Sequence, residues 1–208
     1  MTESLPENSF RKVFRFSFDH DVKFTMSAEA YQHISETLRD FDKPIVLTLI
    51  DPMHYQEATI DILSYFAKKL PRGIYVTLNK PFSVLMKNFE NAGVPAGSLF
   101  FVDGITNVPS LEEGKDHACL GSGIDLSNLC IGISKAVNMF EGEKFLLLDS
   151  LSTLLIYNDP KSVSKFAHLL TEKMRRWNTS GSLLTVEMNA EKDVVSQLAP
   201  FCDKVVKI

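Results

Sequence analysis

No glycine occurs before Gly73, although the 208-residue chain contains ten. That absence excludes a glycine-rich loop, whose backbone N–H groups approach phosphates closely, from the first third of the chain. Cysteine is scarce as well: Cys119, Cys130 and Cys202 are odd in number and lack metal-ligand spacing. A disulfide scaffold and a zinc ribbon are thereby excluded, and the three read as thiols of a reducing cytoplasm. No run approaches 18 apolar residues, so no transmembrane helix is predicted and no membrane partner is expected. Basic charge is not in excess: 22 Lys and Arg against 26 Asp and Glu leave a net charge of −4. A dedicated duplex binder carries a basic face, so nucleic acid is not an expected partner. The first eight residues, Met1 to Asn8, are polar and acidic, unlike a signal peptide, and point to a cytoplasmic protein. With 45 % hydrophobic and 23 % charged residues, the chain has the composition of a folded domain rather than a disordered one.

What is present has two rhythms. Phe14, Phe16 and Phe18 alternate with polar residues, Asp19-His20-Asp21 follows, and Val22 and Phe24 resume the alternation. This predicts a β-hairpin that covers a sheet edge or mediates association. Tyr31, Ile34, Leu38 and Phe41 then recur at helical spacing behind Ser27, a suitable N-cap. From residue 44 the pattern changes to short continuous apolar runs separated by helical stripes. The runs are Ile45–Ile50, Ile74–Leu78, Leu99–Asp103, Phe145–Asp149, Ser182–Val186 and Lys204–Ile208. Runs of this kind suit strands buried on both faces of a parallel sheet. The stripes are Tyr55/Ile62/Phe66/Leu70, a helix opened by Pro81, Leu126/Leu129/Ile133/Val137/Phe140, Val163/Phe166/Leu170/Met174/Trp177 behind Asp159-Pro160, and a short helix near 190–200. Residues 104–124, with Pro109 and four glycines, read as a long loop. The expected architecture is a three-layer α/β fold: a mostly parallel central sheet with helices on both faces. A 1–43 extension, hairpin plus helix, packs on a single 44–208 core domain.

Ligands of open α/β sheets bind beyond the carboxyl ends of the strands. Those ends carry Asp51, Asn79, Asp103, Asp149 and Glu187. The most specific segment is Phe145-Leu146-Leu147-Leu148-Asp149-Ser150. Four apolar residues followed by Asp-Ser resemble the Walker B strand of RecA-type ATPases. Gly73 to Pro81, Val102-Asp103-Gly104, Asp125 to Leu129, Ser182 to Glu187 and Phe201 to Val206 resemble, in order, further segments of the KaiC branch of that superfamily. The resemblance spans roughly 44–208 and implies a RecA-like fold, with the sensor strand between the first strand and the Asp149 strand.

The family's phosphate loop, G-x-x-x-x-G-K-[ST], is missing where the resemblance requires it. Such a loop needs glycines for backbone approach, Lys for the β/γ-phosphates and a hydroxyl for Mg²⁺. After the first strand the chain reads Asp51-Pro52-Met53-His54-Tyr55-Gln56-Glu57-Ala58-Thr59. Placing Asp51 on the first Gly puts Gln56 on the second, Glu57 on the Lys and Ala58 on the hydroxyl. A shift of one restores Thr59 but sets Ala58 on the Lys. The catalytic glutamates that KaiC-type proteins carry after the second strand are replaced by Asn79-Lys80. With these groups gone, ordinary ATP hydrolysis is not expected, and no catalytic residue, cofactor or metal is assigned. The first crossover is then expected to be a tight turn, with Tyr55 or Met53 partly filling the nucleotide's space.

The resemblance and the losses together imply a KaiC-like pseudo-ATPase, regulatory or scaffolding, that works through a protein partner or self-association, with a homo-oligomer as one form. One alternative is a nucleotide or small-anion binder that uses the same crevice without hydrolysis. A second is a metal-dependent enzyme built on Asp51, Asp149 and Glu187. Those three carboxylates are expected close together, which would be relieved by backbone N–H groups, by a lysine such as Lys80, or by a divalent ion. His20, His33, His54, His117 and His168 are scattered, and Lys173, Arg175 and Arg176 beside Trp177 read as a solvated last helical turn.

Overall fold

A computed structural model describes residues 28–94, 96–106, 116–121, 125–187 and 192–208. The predicted hairpin with Phe14, Phe16, Phe18 and His20 lies outside the described residues. Strands β1 (Ile45–Ile50), β2 (Gly73–Thr77), β3 (Leu99–Asp103), β4 (His117–Cys119), β5 (Phe145–Asp149), β6 (Ser180–Val186) and β7 (Lys204–Lys207) form one sheet. Its order is β4-β3-β2-β5-β6-β1-β7, and every pairing is parallel. This is a RecA-like three-layer fold, with β6 lying between β1 and β5 as the resemblance implies.

A parallel sheet must be covered on both faces, and side chains alternate between the faces at period two. Ile45, Leu47, Ile74, Val76, Leu146 and Leu148 enter one core. They meet helices α4 (Leu126–Asn138), α5 (Leu151–Tyr157), α6 (Pro160–Arg176) and α7 (Lys192–Leu198). Val46, Ile50, Tyr75, Phe145 and Leu147 enter the other core, under α1 (Ala28–Thr37), α2 (Tyr55–Lys69) and α3 (Phe82–Asn91). There Phe66 stacks on Phe145 at 5.7 Å between centroids. Full burial of each such side chain is worth about 1.5–3 kcal/mol. Close strand packing also explains Gly181 in β6: a Cβ there would lie 1.9 Å from the Leu146 carbonyl oxygen of β5.

The structure corrects several expected details. The 104–124 segment holds the short strand β4, paired with β3 through Phe101↔His117 and Asp103↔Cys119. Three residues are too few for a period to show. Helix α5 follows Asp149 directly, started by Ser150, whose hydroxyl accepts from Thr153 N at 3.4 Å. Pro81 precedes α3 instead of opening it, and its carbonyl accepts from Leu85 N at 3.2 Å. Phe41 lies past the end of α1 and is exposed, whereas Ile34 and Leu38 are buried against α2. At the end of α6, Arg175 is drawn back by Asp203 Oδ1 at 3.0 Å and the Phe201 carbonyl at 3.2 Å, tying that helix to β7.

Candidate functional site

The carboxyl ends of β2 and β5 lie side by side, with Thr77 opposite Asp149 in register. Leu78 N donates to the Asp149 carbonyl at 2.7 Å and fixes that edge. The Asp149 side chain is buried at the junction of β2, β5 and the start of α2. Its Oδ1 accepts from the Tyr55 hydroxyl of α2 and from Asn79 Nδ2, and its Oδ2 accepts from the Tyr75 hydroxyl at 2.5 Å. Asn79 Oδ1 in turn accepts from the Thr153 hydroxyl of α5. Three donors therefore converge on one carboxylate, and a fourth group holds one of those donors.

Burial sets the protonation tendencies. It pushes the Asp149 carboxyl above the usual carboxylate range, against the lowering influence of Tyr55, Tyr75, Asn79 and the Lys80 charge. Burial, followed by the Asp149 charge, also raises Tyr55 and Tyr75, so both phenols stay protonated as donors. An ionised carboxylate offers about four lone-pair sites. Three are engaged here, so a cation would find at most one free site, on a carboxylate it shares with three donors.

The other strand-end residues are spent locally. Asp51 is exposed and turns back on its own loop, where its Oδ1 accepts from Met53 N at 2.8 Å. His54 N donates to the Asp51 carbonyl at 3.0 Å, so the loop uses its N–H groups internally. The turn is a short 3₁₀ segment, Pro52–His54, which leads straight into α2. Tyr55 projects to the crevice and Met53 into solvent, 85 % exposed. Ala58 and Thr59 are buried in α2, where the Thr59 hydroxyl donates to the Tyr55 carbonyl at 2.7 Å. Gln56 faces the crevice, and Glu57 is exposed 3.7 Å from His54. Glu187 pairs with Lys207 at 2.7 Å on the surface.

Asp103 is buried away from the crevice. It accepts from Phe82 N at 2.9 Å, Ile105 N at 2.8 Å, and Thr106 N at 2.9 Å and Oγ1 at 2.6 Å. Burial alone would raise its carboxyl, but these four bonds hold it below the usual range. Asp51, Asp149 and Glu187 are thus not brought together. Among the described residues no group of three or more His, Cys, Asp or Glu side chains is placed to hold a metal ion. The remaining histidines are elsewhere: His117 stacks on Phe82 at 4.2 Å and His168 on Phe201 at 3.9 Å.

Tyr75 and Thr153 were not singled out by the sequence. A signal for Tyr75 existed: a tyrosine inside the apolar run of a central strand needs a partner for its hydroxyl. No comparable signal marked Thr153.

No helix of the described residues is long and apolar enough to cross a membrane. The profile of a family described as a family of unknown function (DUF7504) matches residues 75–208. No curated protein matches the chain. Among solved structures, an uncharacterised protein of Pyrococcus horikoshii, PH0321, crystallised with an unknown peptide, superposes with TM-score 0.60 at 16 % identity. That alignment covers 85 % of this chain and 82 % of the other. A KaiC-like protein of Pyrococcus horikoshii OT3, PH0186, gives TM-score 0.49 at 14 % identity over 69 % of this chain and 61 % of that one. The ORC1 protein of Aeropyrum pernix, in complex with DNA, gives 0.44 at 15 % identity over 90 % and 46 %. The likeness to PH0321 is one of fold, and the other two scores carry no argument.

Proposed function

The chain belongs to DUF7504, a family of unknown function, and we propose that it is a KaiC-like RecA-fold pseudo-ATPase that regulates or scaffolds through protein contacts. The observation that carries this reading is the state of Asp149. A Walker B carboxylate serves Mg²⁺ by facing an open phosphate site. Here the carboxylate is closed in by Tyr55, Tyr75 and Asn79 of its own chain. The preceding losses agree with it. Glu57 stands where the phosphate-binding lysine would be, and the N–H groups of Met53 and His54 are turned to Asp51. Phosphoryl transfer rests on positioned phosphates, Mg²⁺ and charge neutralisation, and each lacks its residue. A small-anion binder would need the same converging N–H donors, so that reading is weaker than the first.

In this reading the protein works in the cytoplasm, and its partner is another protein or a second copy of the chain. The peptide in the PH0321 crystals directs the search toward peptide partners. Phosphate release from Mg-ATP by the full chain is the test. No rate above buffer is expected. Turnover that Asp149→Asn abolishes would overturn the proposal.

A further inference from the structure

Tyr55 does not fill the crevice. A cavity of about 590 Å³ remains beside Asp149, between α2, α3, α5 and the ends of β6 and α7. Small-molecule sites commonly measure roughly 300–1,000 Å³. Its walls are mainly apolar, with Ile60, Phe89, Leu155, Ile156, Val186 and Val194 among them. Ile156 sits 74 % exposed on α5, a large apolar surface with no water-facing role of its own.

The charges of the lining are balanced. Among the described residues it holds one cation, Lys80, and one carboxylate, Asp149. A polyphosphate would bring several negative charges to a single ammonium. A monoanion would be repelled by Asp149 as it is drawn to Lys80. An uncharged molecule meets neither penalty.

The polar lining includes the amides of Gln56 and Asn88, and its ammonium, among the described residues, is that of Lys80. The Asp149 oxygens are engaged by three donors. The Lys80 ammonium reaches Gln56 Oε1 at 3.5 Å, the outer limit of a hydrogen bond, and carries three donors. We propose that this cavity binds a small, uncharged, mainly apolar molecule with one carbonyl or equivalent acceptor directed at Lys80. The inference rests on the reading of Asp149 as closed to Mg²⁺-nucleotide.

The test uses two uncharged fluorescent probes on the full chain: Nile red, which has a carbonyl acceptor, and pyrene, which has none. Both are expected to bind saturably at one site. Ile156→Asp, at an exposed position that folding does not need, should weaken both at least tenfold. Lys80→Met should weaken Nile red about fivefold or more and leave pyrene unchanged. Circular dichroism and melting curves verify that each variant is folded. Absence of saturable binding, or binding indifferent to Ile156→Asp, overturns the site. Equal responses of the two probes to Lys80→Met overturn the acceptor assignment. Failure of both probes and of Mg-ATP removes this inference and leaves the pseudo-ATPase reading standing. Displacement of Nile red by micromolar Mg-ATP removes both.

Discussion

Tyr75→Phe deletes one oxygen from the centre of the site and leaves the ring in place. The ring keeps its packing on Phe89 at 5.2 Å and Phe101 at 5.6 Å. What is lost is the 2.5 Å bond to Asp149 Oδ2, made by a fully buried tyrosine. A hydrogen bond to a charged group contributes about 1.5–3 kcal/mol, against about 0.5–1.5 kcal/mol when both partners are neutral. For a chain of this length the charged case corresponds to a fall in melting temperature of roughly 3–12 °C.

The two magnitudes predict a pH dependence. Asp149 has a folded-state pKa raised above its unfolded value. The folded protein therefore binds the proton more readily, and this group's contribution is present below the unfolded pKa and lost as pH rises through the folded one. Tyr75 donates preferentially to the ionised form, so removing its hydroxyl raises that pKa further and deepens the loss at high pH. Urea denaturation at pH 8 and near pH 4.5 should give a larger difference between Tyr75→Phe and wild type at pH 8. Tyr65→Phe is the control. Its hydroxyl accepts from Lys69 at 2.8 Å instead of donating to a carboxylate, so its cost should change less with pH than that of Tyr75→Phe. A difference below about 0.5 kcal/mol at pH 8, or one that is the same at both pH values, would refute the reasoning.

Asp103→Asn should cost about 2 kcal/mol near neutrality, because four donors lose a charged acceptor. Its lowered pKa means that this stability is present above the unfolded value and lost as pH falls through the folded one, so the variant's acid-unfolding limb should be flatter. Gly181→Ala should lose more than about 4 kcal/mol or fail to fold, since its Cβ meets a backbone oxygen at 1.9 Å; expression yield and circular dichroism would report it. Glu187→Gln breaks an exposed ion pair with Lys207 and should shift urea stability by less than about 1 kcal/mol, less still in high salt.

The sheet was legible because its strands are continuous apolar runs, and every run read from residue 45 onward is a strand. Asp149 was legible for a related reason, since the run before it is long and stops abruptly at a carboxylate. β4 and α5 escaped because each is too short for a periodic pattern. The grouping of the strand-end carboxylates was misjudged for a physical reason. Strand spacing places the backbones of Asp51, Asp149 and Glu187 near one another, but it does not say where their side chains turn. Asp51 turned to the N–H of Met53 and Glu187 to Lys207, leaving Asp149 with Tyr55, Tyr75 and Asn79. Tyr55 or Met53 was expected in the crevice from the loss of the glycine loop, and it is Tyr55 that points there while Met53 faces solvent. Tyr75 was not expected there, because its partner comes from a strand some 70 residues away.

The most direct measurement of the central claim is a calorimetric titration of the full chain with Mg-ATP, repeated with the Asp149→Asn variant. With Asp149 closed in by its own chain and no glycine loop to hold phosphates, the account predicts no saturable heat, meaning a dissociation constant weaker than about 1 mM, or less than about 4.1 kcal/mol of binding. A one-to-one isotherm in the micromolar range that Asp149→Asn abolishes would contradict it.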